Sequence, residues 1–220
     1  MRTTVIKVAV GLVVLGVLGV LFVRSAQNVS SEPYEVRRDG LTGWTLELNA
    51  SPAASGAVLA LRPQRELPAA LFNQVFRRSG ESLSGPVPAE MPLVLQTEFE
   101  RALAGTLTPE ALLAVARDAG LGSSPMQARC MAQRRVSEPG IHKEVFFLRF
   151  DLPAFAEFRQ RIAQKARGNG GSGAFDPDAL TPIMIVAASN GAFSSWLPLR
   201  PVAADDCLAP IADREGPLAK

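Results

Sequence analysis

The sequence predicts an α+β protein: a single transmembrane helix at the N-terminus, then one domain built on a mainly antiparallel sheet with about three packing helices. Three observations carry that reading. Val8 to Val23 is a run of sixteen residues with no charge, proline or polar side chain. Beyond it, short segments of period two and longer segments of helical period interleave without a regular strand–helix–strand repeat. Val145 to Phe150 (VFFLRF) is dense in aromatic and aliphatic residues and reads as a central strand.

A helix over Val8–Val23 would be about 24 Å long, and extending it back to Val5 brings it to about 28 Å, close to the hydrocarbon thickness of a bilayer. Lys7 lies near one end, where its stem can stay in lipid while the ammonium reaches the headgroups. The competing reading is a cleaved secretory signal, whose apolar region spans roughly 7 to 15 residues before a small-residue cleavage site. Here the run reaches that limit, and Arg24 would stand at −3 for cleavage after Ala26. Length and cleavage site favour a retained anchor. Arg2 and Lys7 flank its amino end without an acidic residue, which places that end in the cytoplasm and the domain outside it. The expected organisation is an anchor over 1–26, a stalk over 27–40, an extracytoplasmic domain over 41–200 and a C-terminal tail over 201–220.

Three of the 23 basic residues, Arg2, Lys7 and Arg24, flank the anchor, leaving 20 against 21 acidic residues in the rest. The domain therefore lacks the concentrated positive charge that nucleic acid requires, and no nucleic-acid partner is expected. The chain has two cysteines, Cys130 and Cys207. An even count in an exported domain points to a disulfide, here closing a long loop and holding the tail to the sheet.

Taken in order, Trp44–Asn49 alternates apolar and polar residues as a half-buried strand does, and Ala57–Leu61 can pair back on it as a hairpin. Leu67, Leu71, Val75 and Phe76 recur at helical spacing over Leu67–Arg78, with Pro68 in the first turn. Ser79–Pro92 is rich in Ser, Gly and Pro and reads as an exposed loop. Leu93–Ala104 carries both a strand-like start and helical spacing. Thr108 as N-cap, Pro109 at the first helical position and Gly120 as stop frame the next helix. Gln127–Val136 and His142–Phe150 are strands joined by a turn at Ser137–Gly140, with Cys130 facing inward beside Ala128 and Ala132. Asp151–Ala166 is a helix capped by Asp151, and Arg159, Arg161, Lys165 and Arg167 complement its C-terminal dipole. Gly168–Gly173 is a connector. Ile183–Ala188 and Phe193–Leu197 flank Asn190–Gly191 as a second hairpin. The proline-rich tail after Pro198 is expected along the surface.

Candidate chemistry is sparse. The glycines at 168–173 follow a helix instead of preceding one, so they do not form a phosphate loop. Gly80–Ser84 lacks the glycine that a nucleophile elbow needs after its serine. His142, the single histidine, has no nucleophile near it in sequence. Glu98 and Glu100 could be a carboxylate pair, but alternating acids more often mark a solvated face. Asp205 and Asp206 beside Cys207 read as loop solvation. No cofactor, metal site or catalytic residue is assigned. The expectation is a non-enzymatic envelope protein that touches membrane lipid through its anchor and binds a protein partner, or supports a membrane assembly, through its domain. The rival readings are a tethered hydrolase with an unrecognised active site and a small-ligand or lipid-binding domain.

Overall fold

Val145 and Phe147 point to one side of their strand and Phe146, Leu148 and Phe150 to the other, and all five are buried. Apolar residues on both faces suit a strand covered on both sides, and that is the position VFFLRF takes. The computed structural model describes residues 32–49, 56–124, 126–138, 141–171, 173–197 and 206–214, together with Gly16 and Gly19. The chain divides into two units, Met1–Glu32 and Pro33–Lys220, and the architecture below is that of the second. The anchor from Val8 to Val23, apart from Gly16 and Gly19, lies outside the described residues. Among the described residues no helix is long and apolar enough to cross a membrane.

The second unit is mixed α+β with antiparallel pairing dominant. Its strands are β1 (Tyr34–Arg37), β2 (Thr45–Leu48), β3 (Ala57–Arg62), β4 (Met91–Leu95), β5 (Gln127–Glu138), β6 (Ile141–Asp151), β7 (Ile183–Ala188) and β8 (Cys207–Arg214). Three longer helices accompany them: α1 (Glu66–Ser79), α2 (Pro109–Asp118) and α3 (Pro153–Gly168), with short helical turns over Gln96–Glu98 and Phe99–Leu103. The single sheet expected from sequence is two sheets. One has the order β1-β8-β5-β6-β7, the other β2-β3-β4. The split follows from β3, whose Ala57–Leu61 is buried throughout. It forms the centre of its own sheet, with β2 and β4 antiparallel on either side.

The β5–β6 hairpin is the spine of the larger sheet, in register from Gln127↔Asp151 to Glu138↔Ile141. The main core lies on one face, where Phe146 and Leu148 belong to one buried cluster with Leu59 and Leu61 of β3, Leu71 of α1, Leu112 of α2 and Phe158 of α3. A smaller cluster covers the other face, with Val145, Phe147, Ile183 and Ile185 beneath Phe193, Trp196 and Leu197. That second face corrects the reading of Phe193–Leu197 as a hairpin strand. Phe193–Trp196 is a 3-10 turn, and its aromatic residues cover β6 and β7 where a flat strand beside β7 would leave them bare. Ser84 takes up the edge of β7 instead, exchanging two 2.9 Å backbone hydrogen bonds with Ala188.

Two further expectations change at the ends of the domain. The segment expected as stalk contributes β1, in which Tyr34 and Val36 are buried. The segment expected as a surface tail contributes β8, which runs parallel to β1 and antiparallel to β5. Asp151 does not cap α3. It ends β6, with its carboxylate 3.4 Å from Arg129, and Leu152 precedes the helix without a side-chain cap. Thr108 does cap α2, its hydroxyl accepting from the Ala111 amide at 3.2 Å, and Gly120 ends that stretch at φ +75.

Candidate functional site

Residues i, i+4 and i+8 of α1, namely Leu67, Leu71 and Val75, are buried. The helix is seated on the outer edge of β1 by Gln74, whose Oε1 accepts from the Glu35 amide at 2.8 Å and whose Nε2 donates to the Glu35 carbonyl at 2.8 Å. One side chain thus satisfies a strand edge that would otherwise be open for pairing. At the end of α1, Arg78 stacks 4.1 Å over the Tyr34 ring and donates to the Pro33 carbonyl at 2.9 Å. Burial raises the Tyr34 phenol above its ordinary value, against the opposing pull of Arg78.

With α1 fixed in this way, Pro68, Phe72 and Phe76 are left on its outer side. Gly80 ends the helix at φ +65, and the following loop turns back over Phe72. Gly85 permits that approach: a Cβ there would lie 3.1 Å from Phe72 Cδ2 and 3.5 Å from the Val186 carbonyl oxygen. The loop then rises into a ridge, Pro86–Val87–Pro88, where Val87 is 92% exposed. Two hollows flank this ridge. The smaller, about 340 Å³, is lined by Glu90, Pro92, Ile185 and Phe193 together with the ridge. The larger, about 840 Å³, lies between the ridge and α1 and is lined by Arg62, Arg65, Pro68, Phe72 and Val186. Phe76, 49% exposed, stacks on Phe72 with ring centroids 6.0 Å apart. The two most exposed large apolar residues among those described therefore stand on the elements that build one cleft.

Beneath the ridge is a polar network. Glu90 is buried, its Oε1 accepting from Asn49 Nδ2 at 3.0 Å and its Oε2 from Arg62 Nη2 at 3.4 Å. Arg62 also pairs with Glu47, while its buried Nε–H has no acceptor among the described residues. This arrangement holds the floor of the cleft in place and leaves one donor buried and unused.

A second buried charge lies elsewhere. Glu98 does not sit on a solvated face beside Glu100; its Oε1 is 2.6 Å from Arg159 Nη2. All five donors of Arg159 are engaged: Glu98 takes two, and the carbonyls of Leu93, Asp176 and Pro177 take the rest. Glu100 is exposed and accepts from Gln96. A guanidinium with no donor left over is a structural joint, not a substrate clamp.

The other sequence candidates are dispersed. Cys130 and Cys207 are brought to disulfide distance, with Cα atoms 5.8 Å apart, across the β5–β8 pair. Asp206 pairs with Arg134 at 2.8 Å. Asp205 and the side chain of His142 lie outside the described residues, as do the anchor ends Val8 and Val23. Among the described residues, no three His, Cys, Asp or Glu side chains gather as a metal site would require. The cleft was not singled out in the sequence; its signal was a large apolar residue held between two prolines. The chain matches no protein-family model, and comparison with curated proteins and with solved structures returned no match.

Proposed function

We propose that this chain is a single-pass, membrane-anchored envelope protein whose extracytoplasmic domain binds a partner protein through the cleft between α1 and the Pro86–Val87–Pro88 ridge. The observation that carries the reading is the near-complete exposure of Val87 on the ridge of a cleft that Phe72 also lines, with Phe76 stacked on Phe72. Large apolar side chains left exposed on the elements of one cleft mark a site of association. A rigid support keeps the ordering cost of binding low. The apolar run from Val8 to Val23 supports the tether, and the Cys130–Cys207 pair suits an oxidising compartment.

The test is copurification in mild detergent at native expression, with the wild-type chain beside Val87→Asp. The reading expects a discrete complex for the wild type and the monomer alone for Val87→Asp. Recovery of only the monomer from the wild type overturns it. A reporter active only in an oxidising compartment, fused after Lys220, should function, and a cytosolic reporter there should not; the reverse result removes the topology.

A further inference from the structure

The chemistry of the cleft wall says what kind of segment fits it. Among its lining residues are two arginines, Arg62 and Arg65, and no acid. The two arginines are not equivalent. Arg62 is held against Glu47 and Glu90, so its charge is already answered. Arg65 is exposed at the start of α1 and makes no side-chain hydrogen bond or ion pair among the described residues. The rest of the wall is proline, alanine, glycine, valine and phenylalanine. A binding segment would therefore meet a broad apolar floor and one unanswered positive charge at its rim.

We infer that the occupant is an extended segment of the partner protein that presents an apolar side chain close to a carboxylate. The inference rests on the reading of the cleft as the docking site and adds the chemistry of what docks. The apolar group covers Phe72 and the flank of Val87, and the carboxylate meets the Arg65 guanidinium. An arginine can hold a carboxylate through two parallel N–H···O bonds, which fixes direction along the groove as well as charge. At about 840 Å³ the hollow exceeds any single side chain and takes a segment of several residues. Arg65 is then the residue that selects among apolar segments by charge, while Phe72 and Val87 supply most of the buried area.

The experiment uses the full chain in detergent micelles, panned against a random peptide library displayed on phage. Enriched peptides are then synthesised and their affinities measured by fluorescence anisotropy. The expected result is enrichment of peptides with Asp or Glu next to an aliphatic or aromatic residue. Their affinity should fall by about tenfold or more on Arg65→Glu and by less on Arg65→Gln. Val87→Asp should abolish binding. Both positions are exposed, and an unchanged unfolding midpoint in each variant shows that the fold is intact. Enriched peptides that lack an acid, or that bind Arg65→Glu as tightly as wild type, overturn the charge rule; if Val87→Asp still abolishes their binding, the docking site itself stands. Peptides insensitive to both Arg65→Glu and Val87→Asp, or no enrichment at all, overturn site and rule together. A concentration-dependent dimer of the isolated chain, broken by Val87→Asp, would make the occupant a second copy and overturn the inference.

Discussion

Arg159 of α3 and Glu98, 61 residues apart in sequence, form a buried ion pair in which the guanidinium has no exposed surface and every N–H has an acceptor. The pair joins three parts of the chain. Glu98 follows β4 and accepts from the Leu95 amide at 3.0 Å, and the same guanidinium holds the carbonyls of Leu93, Asp176 and Pro177. It lies 4.6 Å over the Phe175 ring. Its position at the centre of these contacts makes it the joint between α3, the smaller sheet and the segment that leads into β7.

Arg159→Met should therefore be among the most damaging single changes in the domain. It leaves the buried Glu98 carboxylate with no cationic partner and takes a donor from three carbonyls, at a cost of about 3–5 kcal/mol. Adding Glu98→Gln should recover part of the loss, since glutamine removes the buried charge and can still accept from Leu95. Urea unfolding of the single and double variants measures both. A loss below about 1 kcal/mol for Arg159→Met would show that the pair is dispensable.

The cysteine pair spans 77 residues and ties β8 to β5. Intact protein should take up no thiol-alkylating reagent until it is reduced. Because β8 lies inside the larger sheet, Cys207→Ser should lower the stability of that whole sheet and release β1 with it. The loss should not exceed the chain-entropy ceiling of roughly 4.5 kcal/mol. Hydrogen exchange that quickens only beyond Arg214 would contradict this.

Tyr34 is the single tyrosine of the chain, so phenolate absorbance reports it alone. Its pKa is raised by burial, and the transition should lie above the ordinary value of about 10. Below about pH 10 both the folded and the unfolded phenol are protonated and the contribution of Tyr34 is complete. As pH rises from the unfolded value through the folded one, the unfolded state releases its proton first and that stability is lost. Thermal unfolding across this window should show a smaller alkaline loss in Tyr34→Phe than in wild type. A transition at or below the ordinary value would remove the argument.

Gly85→Val should disturb the cleft from within. A side chain there meets the Phe72 ring at close range, so the ring or the loop must shift. The expected cost is about 1–3 kcal/mol, together with weaker partner binding. Unchanged stability and unchanged binding would mean that the loop is not seated against Phe72 as described.

Local signals were legible in the sequence, and long-range ones were not. The Thr108 cap, the glycine stop at 120, the β2–β3 pairing and the β5–β6 hairpin depend on neighbours in the chain, and each was read from spacing and turn composition. β8 has a proline at 210 and no alternation; it exists because β1 and β5 offer backbone partners on either side, and no local pattern encodes that. Asn190–Gly191 is a good turn signal, yet Phe193, Trp196 and Leu197 are needed over the second face of β6, so the turn leads to a covering segment. Arg159 was visible only in part. Its spacing from Phe155, Phe158 and Ile162 places it on the buried face of α3, but its partner lies 61 residues away, and it stood in a row of helix-end cations. The cleft was the least legible. Val87 between prolines is an ordinary loop reading until α1 lies beside it.

The most direct measurement is site-specific photocrosslinking from position 87 in the full chain, in intact cells that express it. A photoreactive residue replacing Val87 should give one discrete crosslinked species containing a second protein. The same residue replacing Glu157, exposed on α3 and not part of the cleft wall, should give none, and Phe72→Asp should remove the species formed from position 87. If position 87 yields no more crosslinking than position 157, the ridge is not a docking surface and the account of this protein as a tethered binder is contradicted.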